Sequence, residues 1–151
     1  MMSTDYTQII RFWYTMYGRN VGRLNTYILQ NGETAMQTPV WTRSGNQGPT
    51  WLLGEINLPL NGTFRIIFEA VLGNGIYGDI ALDDITIEDA AFQCTFDSPG
   101  ICGFTQEQGD HFDWTFGRGK TPTRRTGPNK DHTTNTAQGN TAVLFIKVFN
   151  T

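Results

Sequence analysis

The chain has 151 residues, which is the length of one ordinary domain and enough to bury a hydrophobic core. Apolar residues make up 38% of it, aromatic residues 13% and charged residues 17%, a composition too apolar and too weakly charged for a disordered chain. The formal net charge of -3 argues against a nucleic-acid-binding domain, because such domains usually carry a basic excess.

No stretch approaches the roughly 18 consecutive apolar residues that a membrane-spanning helix needs, so we expect no direct membrane insertion. Residues 1–5 have neither the basic region nor the apolar region of a signal peptide. A domain taken from a longer protein would lack one as well, and the doubled Met1-Met2 favours an added start codon.

Alternation of apolar side chains with a period of two predicts β-strands along the chain. In residues 9–16 the apolar face consists of Ile10, Phe12, Tyr14 and Met16. Similar patterns predict strands at 23–29, 38–43, 50–58, 64–71, 79–87, 110–116 and 142–149. Because turn-forming glycines separate these strands and no helical apolar stripe is present, the sequence predicts an all-β, antiparallel β-sandwich of the jelly-roll type.

Residues 117–141 interrupt this pattern, since no strand is predicted there. The segment gathers five basic residues before its first acid, Asp131: Arg118, Lys120, Arg124, Arg125 and Lys130. Loops of this length inside a compact domain are usually functional or disordered. Two interpretations stay open, a basic patch that binds a sulfated glycan or an acidic partner, and a solvated loop without a ligand.

The two cysteines, Cys94 and Cys102, flank a short segment with a Pro99-Gly100 turn. In a secreted chain such a pair predicts a disulfide, whereas in the cytosol it would be two thiols. Metal binding by the pair would need two more ligands, and the spacing of His111 and His132 fits no zinc pattern.

The chain contains no recognisable catalytic motif. Its three serines lie outside any G-x-S-x-G elbow, and neither H-E-x-x-H nor G-x-x-x-x-G-K-S/T is present. Glu55 and Glu69 are a carboxylate pair of the kind that flanks a glycosidic bond, but their strand positions favour solvent-facing side chains. The sequence therefore predicts a domain without enzyme activity.

Asp83 alternates with Ala81 and Ile85, which predicts that its carboxylate points toward the core. An inward carboxylate needs a hydrogen-bonding partner or a cation. Asp97 and Asp113 also lie among aromatic residues, and oxygens clustered in this way suit calcium. Two interpretations stay open, a calcium site and hydrogen bonding to backbone amides or arginine.

Several multi-residue motifs resemble the MAM domain, the extracellular module named for meprin, the A5 antigen and receptor tyrosine phosphatase mu. The second half of that domain is similar to FWYTMYG at 12–18, VGRLNTYI at 21–28, VWTRSGNQGPTW at 40–51, FRIIFEAVLGNG at 64–75 and GDIALDDITI at 78–87. The first half is similar to CTFDSPGICGFTQEQGDHFDWTFG at 94–117, TGPNKDHT at 126–133 and the strand AVLFIKVF. The resemblance covers nearly the whole chain.

The order of the two halves departs from the family, because the LDDI strand precedes the Cys-Thr-Phe-Asp strand here and follows it in a MAM domain. We predict one domain over residues 1–151, in which 1–93 resemble the family's C-terminal half and 94–151 its N-terminal half, in permuted order. The chain also lacks the family's usual second disulfide. The resemblance therefore implies one disulfide, between Cys94 and Cys102.

The resemblance implies a non-catalytic extracellular adhesion module in the ectodomain of a secreted or single-pass membrane protein. Its partner would be another protein or a second copy of the domain. Some members of the family bind a structural calcium, and the ligands here would be Asp83 and Asp97 with Asp113 as a third. In a secreted protein, Asn61 of the sequon Asn61-Gly62-Thr63 would be glycosylated.

A carbohydrate-binding module is the alternative function, because exposed tryptophan rings on a jelly roll stack on sugars. The candidates for such stacking are Trp13, Trp41, Trp51 and Trp114. Specific saturable glycan binding would favour this alternative, and self-association without glycan binding would favour adhesion.

Overall fold

The structure is a computed structural model that describes residues 7–30, 32–34, 38–59, 63–88, 92–97, 102–106, 108–109 and 112–144. Over these residues the chain forms nine β-strands and no helix. The strands are β1 (Thr7–Tyr17), β2 (Arg23–Gln30), β3 (Trp41–Ser44), β4 (Gly48–Pro59), β5 (Phe64–Val71), β6 (Asp79–Ile87), β7 (Phe92–Cys94), β8 (Thr115–Arg118) and β9 (Asn140–Leu144). No helix in this part of the chain is long and apolar enough to cross a membrane.

The strands form two antiparallel sheets, which confirms the predicted all-β sandwich. The larger sheet has the order β4-β1-β6-β9-β8, and β7 pairs with the C-terminal end of β6, beyond β9. The smaller sheet has the order β3-β2-β5. Strands β6 and β9 come from distant parts of the chain and pair directly, so both parts contribute to one sheet.

The core lies between the sheets and centres on the ring of Phe12, which is fully buried in β1. This ring meets Trp41 and Phe68 of the smaller sheet edge-on, at centroid distances of 5.0 and 5.1 Å. Gly54 of β4 lies against the same ring, at a point where a Cβ atom would overlap it. The apolar face predicted for β1 is buried throughout, which explains why this strand lies at the centre of the sandwich.

Asp83 lies on the other face of the larger sheet, beside Trp13, its register partner in β1. The side chain is fully buried, but not in the core, so the direction predicted from the alternation was wrong. The cause is a β-bulge: β6 has one residue more than β1 between the pairs Trp13–Asp83 and Arg11–Thr86. Asp84 adopts a φ of 45° there, and Ile85 takes the core position.

Residues 119–139 connect β8 to β9 without forming a strand, so the predicted strand-free segment 117–141 is two residues too long at each end. We call them the covering loop, because they lie over the outer face of β6. Their contacts with Asp79 and Asp83 join residues 47 to 50 positions apart in the chain. The segment is therefore held against the sheet at Thr126 and at residues 130–133, and is not a freely solvated loop.

Candidate functional site

The carboxylate of Asp83 is the main anchor of the covering loop. Its Oδ2 accepts hydrogen bonds from the backbone amides of His132 at 2.8 Å and Thr133 at 3.4 Å. Its Oδ1 accepts one from the amide of Asp84 at 2.8 Å. Burial raises the pKa of Asp83 to about 7, and the hydrogen bonds from the amides of His132 and Asp84 oppose that rise only in part.

His132 fixes the loop to the aromatic side chains of the same face. Its imidazole stacks on Trp13 with the ring centroids 3.9 Å apart and the planes 16° from parallel, and it meets Trp51 edge-on at 6.0 Å. Its Nδ1 lies 2.5 Å from a carboxylate oxygen of Asp84. Trp51 donates from its indole nitrogen to the carbonyl of Lys130 at 3.0 Å. Trp13 and Trp51 are thus partly covered by the loop.

The contacts of His132 with Asp83 and Asp84 were not predicted from the sequence, where His132 was weighed only as a zinc ligand. One sequence pattern could have indicated this contact. It consists of two adjacent acids in a strand and, much later in the chain, a loop rich in threonine and asparagine. That pattern gives no register, because the loop residues lie about 50 positions further along the chain.

Asp79 provides a second anchor, because it accepts a hydrogen bond from the hydroxyl of Thr126 at 2.5 Å. The residue is 1% exposed, and its Oδ1 has no hydrogen-bond partner among the residues that the structure describes. Burial raises the pKa of Asp79 more than the hydrogen bonds from Thr126 and Thr121 lower it.

Asp131 organises the loop itself. Its carboxylate accepts hydrogen bonds from the amide and hydroxyl of Thr134, both at 2.7 Å, and from the amide of Thr136 at 3.0 Å. Burial alone would raise the pKa of Asp131, but these hydrogen bonds stabilise the charged form and lower the pKa. Residues 131–136 therefore form a closed turn around one carboxylate.

The three aspartates predicted to bind calcium do not converge. The carboxylate of Asp83 accepts hydrogen bonds from backbone amides of the covering loop and of Asp84. Asp97 accepts a hydrogen bond from the amide of Asn140 at 2.9 Å, and Asp113 is exposed. In the part of the chain that the structure describes, no three His, Cys, Asp or Glu side chains are grouped closely enough to hold a metal ion. The arrangement does not fit calcium at these residues, and backbone hydrogen bonds account for Asp83 instead. Chelation is the direct test of calcium binding by the domain.

Cys94 and Cys102 form the predicted disulfide, with their Cα atoms 5.7 Å apart. Cys94 ends β7 and is fully buried. Phe104, just beyond the bridge, packs against Phe92 at a centroid distance of 6.2 Å and against Phe68 at 6.1 Å. The bridge therefore helps to place this segment against the edge of the core.

The two glutamates considered as a carboxylate pair lie on different sheets. Glu55 is exposed on β4, 3.8 Å from Arg11. Glu69 is half-buried on β5 and accepts hydrogen bonds from the hydroxyl of Tyr27 at 2.8 Å and from Asn25 at 3.0 Å, so the prediction that it faces solvent was wrong. The hydrogen bond to Glu69 is also the main cause that raises the pKa of Tyr27.

Most basic side chains of the predicted basic loop are exposed to solvent. Arg118 donates to the side chain of Asn140 at 2.7 Å, while Lys120, Arg124 and Arg125 are exposed. The predicted glycosylation acceptor, Asn61, lies outside the described residues, and its modification stays a prediction.

A second surface lies where the loops at residues 18–22 and 72–78 meet. Arg19 places its guanidinium 4.1 Å from the centre of the Tyr77 ring, and Ile76 beside them is 43% exposed. The amide of Asn20 donates to the carbonyl of Tyr77 at 2.8 Å. At Gly18 and Gly73 a Cβ atom would overlap the backbone of the opposite loop, so only glycine permits this approach. We call Arg19, Ile76 and Tyr77 the loop-end patch.

The fold, the disulfide and the motifs agree with the comparison to known proteins: the chain belongs to the MAM family. The family model described as "MAM domain, meprin/A5/mu" matches residues 2–91 and 94–147. The match falls into two segments that meet at residues 92–93, next to the boundary predicted between the two halves. The permuted order of those halves stays a prediction.

Several curated proteins are similar to part of this chain. The mouse MAM domain-containing glycosylphosphatidylinositol anchor protein 2 is 40% identical over 84 residues, which are 56% of this chain and 9% of that protein. The human MAM domain-containing glycosylphosphatidylinositol anchor protein 1 is 40% identical over 79 residues, 52% of this chain and 8% of that protein. Thyroid hormone-induced protein B of Xenopus laevis is 41% identical over 81 residues, 54% of this chain and 12% of that protein. No solved structure matches the chain.

Proposed function

We propose that this domain is a non-catalytic extracellular module that mediates adhesion by associating with a second copy of itself. Membership of the MAM family supports a protein-interaction role. The relatives whose names describe glycosylphosphatidylinositol anchor proteins support a position outside the cell. These relatives are much longer than the matched segment, so the proposal concerns the domain and not a whole protein.

The observation that carries the proposal is the loop-end patch. Tyrosine and arginine are the residues most enriched at protein interfaces, and Tyr77 and Arg19 are stacked here next to an exposed isoleucine. The glycine-packed loops hold these side chains in one arrangement before any partner arrives. Such preorganisation reduces the entropy that binding costs, so the patch is built for contact with another protein.

The alternative, a site where tryptophans stack on sugars, has weaker support. His132 covers Trp13, and Trp51 donates to Lys130. Trp41 packs in the core against Phe12. Trp114 is half-buried and donates from its indole nitrogen to the carbonyl of Phe68 at 3.3 Å. Each of the four rings is therefore already engaged by protein atoms.

Sedimentation equilibrium over a range of concentrations tests the proposal. We expect the wild-type domain to associate, and the double variant Ile76→Ser with Tyr77→Ser to stay monomeric, because the apolar contact area of the patch is removed. The matched control is Leu53→Ser, which removes a comparably exposed apolar side chain from β4. A wild-type domain that stays monomeric throughout, or a control that dissociates as fully as the patch variant, would contradict the proposal.

A further inference from the structure

In and beneath the covering loop, the basic side chains are exposed and the acidic side chains are buried. Its basic residues Lys120, Arg124, Arg125 and Lys130 are exposed. The acids next to them, Asp79 beneath the loop and Asp131 within it, are each 1% exposed and accept hydrogen bonds from threonines. The loop thus presents a positive surface on a domain whose net charge is -3.

Internal hydrogen bonds give the cationic part of the loop a fixed shape. The hydroxyl of Thr121 donates to the carbonyl of Thr126 at 2.8 Å and closes a turn. Thr126 is in turn bound to Asp79 of β6. This turn carries Arg124 and Arg125, and Lys120 stands at its base. Lys120, Arg124 and Arg125 therefore lie within one short hydrogen-bonded segment that is fixed to the sheet through Thr126.

In the part of the chain that the structure describes, the exposed cations of the covering loop have no acidic partner at contact distance. Among the described residues, none of Lys120, Arg124, Arg125 and Lys130 forms an ion pair within 4.0 Å. Arg118 is different, because its guanidinium is bound to Asn140, whose amide contacts Asp97. The four exposed cations are left to bind an external anion.

From this arrangement we propose that the covering loop is a binding site for a sulfated polysaccharide, with Lys120, Arg124, Arg125 and Lys130 as the residues that contact the sulfates. Arginine suits this ligand because its planar guanidinium binds an oxyanion through two parallel hydrogen bonds. Residues 118–130 contain no aromatic or aliphatic side chain other than two prolines. Protein interfaces usually have aromatic anchors and little lysine, so a polyanion recognised by charge fits this surface better than an acidic protein.

Affinity chromatography on immobilised heparin, eluted with increasing salt, tests this site in the folded domain. We expect the wild-type domain to be retained, and not to be retained on the same polysaccharide after desulfation. Binding should weaken as salt rises, because exposed charges are screened. The triple variant Lys120→Gln, Arg124→Gln and Arg125→Gln should bind about tenfold more weakly, since each exposed charge contributes only modestly.

The control removes the same net charge elsewhere, with Arg23→Gln, Arg43→Gln and Arg65→Gln on the smaller sheet, where all three arginines are exposed. Equal weakening by both triple variants would show that only net charge matters and would overturn the site. Equal retention on immobilised polyglutamate would overturn the choice of a glycan and indicate an acidic protein partner. No retention of the wild-type domain on heparin at physiological salt would also overturn it.

A measurement on the wild-type chain keeps the proposal testable if the triple variant fails to fold. Acetylation of lysine amines, read by mass spectrometry with and without a soluble heparin oligosaccharide, reports which amines the ligand covers. We expect Lys120 and Lys130 to be protected by the oligosaccharide. Unchanged acetylation at both lysines under conditions where the oligosaccharide is bound would place the ligand elsewhere and contradict the proposal.

Discussion

Both faces of the larger sheet contain buried side chains, but these are stabilised by different chemistry. The inner face buries rings and aliphatic side chains such as Phe12, Ile80 and Leu82 against the smaller sheet. The outer face buries Asp79 and Asp83 against amides and hydroxyls of the covering loop. Apolar burial is non-directional, whereas a buried carboxylate is tolerated only when hydrogen-bonded. The inner face should therefore respond to lost volume, and the outer face to lost hydrogen bonds and to pH.

The largest effect is expected on the inner face. Replacing Phe12 with alanine should lower the free energy of unfolding by about 3–5 kcal/mol, because the change leaves a cavity between the two sheets. Denaturant unfolding measures this. Leu53→Ala, at an exposed position on β4, is the control and should cost far less. Similar losses for the two variants would show that the core does not centre on Phe12.

The outer face should respond less. Asp83→Ala leaves the partly buried amides of His132 and Asp84 without their acceptor, and we expect a loss of about 1–3 kcal/mol at neutral pH. Asp83→Asn keeps one oxygen acceptor and should cost less than Asp83→Ala. If both variants unfold at the same denaturant concentration as the wild type, the carboxylate does not hold the covering loop.

The pH dependence of stability distinguishes the two faces further. The pKa of Asp83 rises from its ordinary 3.8 to about 7 on folding because the group is buried, so the folded state binds a proton that the unfolded state has lost between these values. The free energy of unfolding contributed by Asp83 should therefore fall as pH rises through this window. Burial also raises the pKa of Asp79, so the contribution of Asp79 to the free energy of unfolding should likewise fall as pH rises. Hydrogen bonds from Thr134 and Thr136 lower the pKa of Asp131. The contribution of Asp131 to the free energy of unfolding should therefore fall as pH decreases in the acid range.

Thermal melts of the wild type and of Asp83→Asn at a series of pH values isolate the effect of Asp83, since the other groups cancel in the difference. We expect the wild type to lose stability relative to Asp83→Asn as pH rises from about 4 to 7. A difference that stays constant across this range would mean that burial does not perturb the carboxyl group in the folded protein.

The smallest effect is expected from chelation. Because hydrogen bonds from the backbone occupy the oxygens of Asp83, and Asp97 and Asp113 do not join it in one group, EDTA should leave the melting temperature unchanged. The melting temperature in calcium-supplemented buffer is the comparison. A decrease with EDTA that disappears in Asp83→Asn would restore the calcium site predicted from the sequence.

Alternation along single strands predicted the inner face well. The bounds of β5 and β6 agree with the prediction, and the apolar face of β1 is the centre of the core. The disulfide followed from cysteine content and family motifs. These features depend on residues close in the sequence, or on side-chain types that have one dominant use.

The outer face could not be predicted in the same way. A φ of 45° at Asp84 leaves no trace in a pattern of apolar residues, yet it decides which face Asp83 joins. The three residues of β7 are too few for any periodicity. The contacts of the covering loop join residues 47 to 50 positions apart, and chain spacing alone does not fix such pairs.

Amide hydrogen exchange in the native protein tests most directly whether Asp83 holds the covering loop on the sheet. We predict that the amide of His132 exchanges slowly in the wild type and much faster in Asp83→Ala, while the amide of Ile66 in β5 is unchanged. If the His132 amide of the wild type exchanges as fast as an exposed loop amide, the covering loop is not anchored as described.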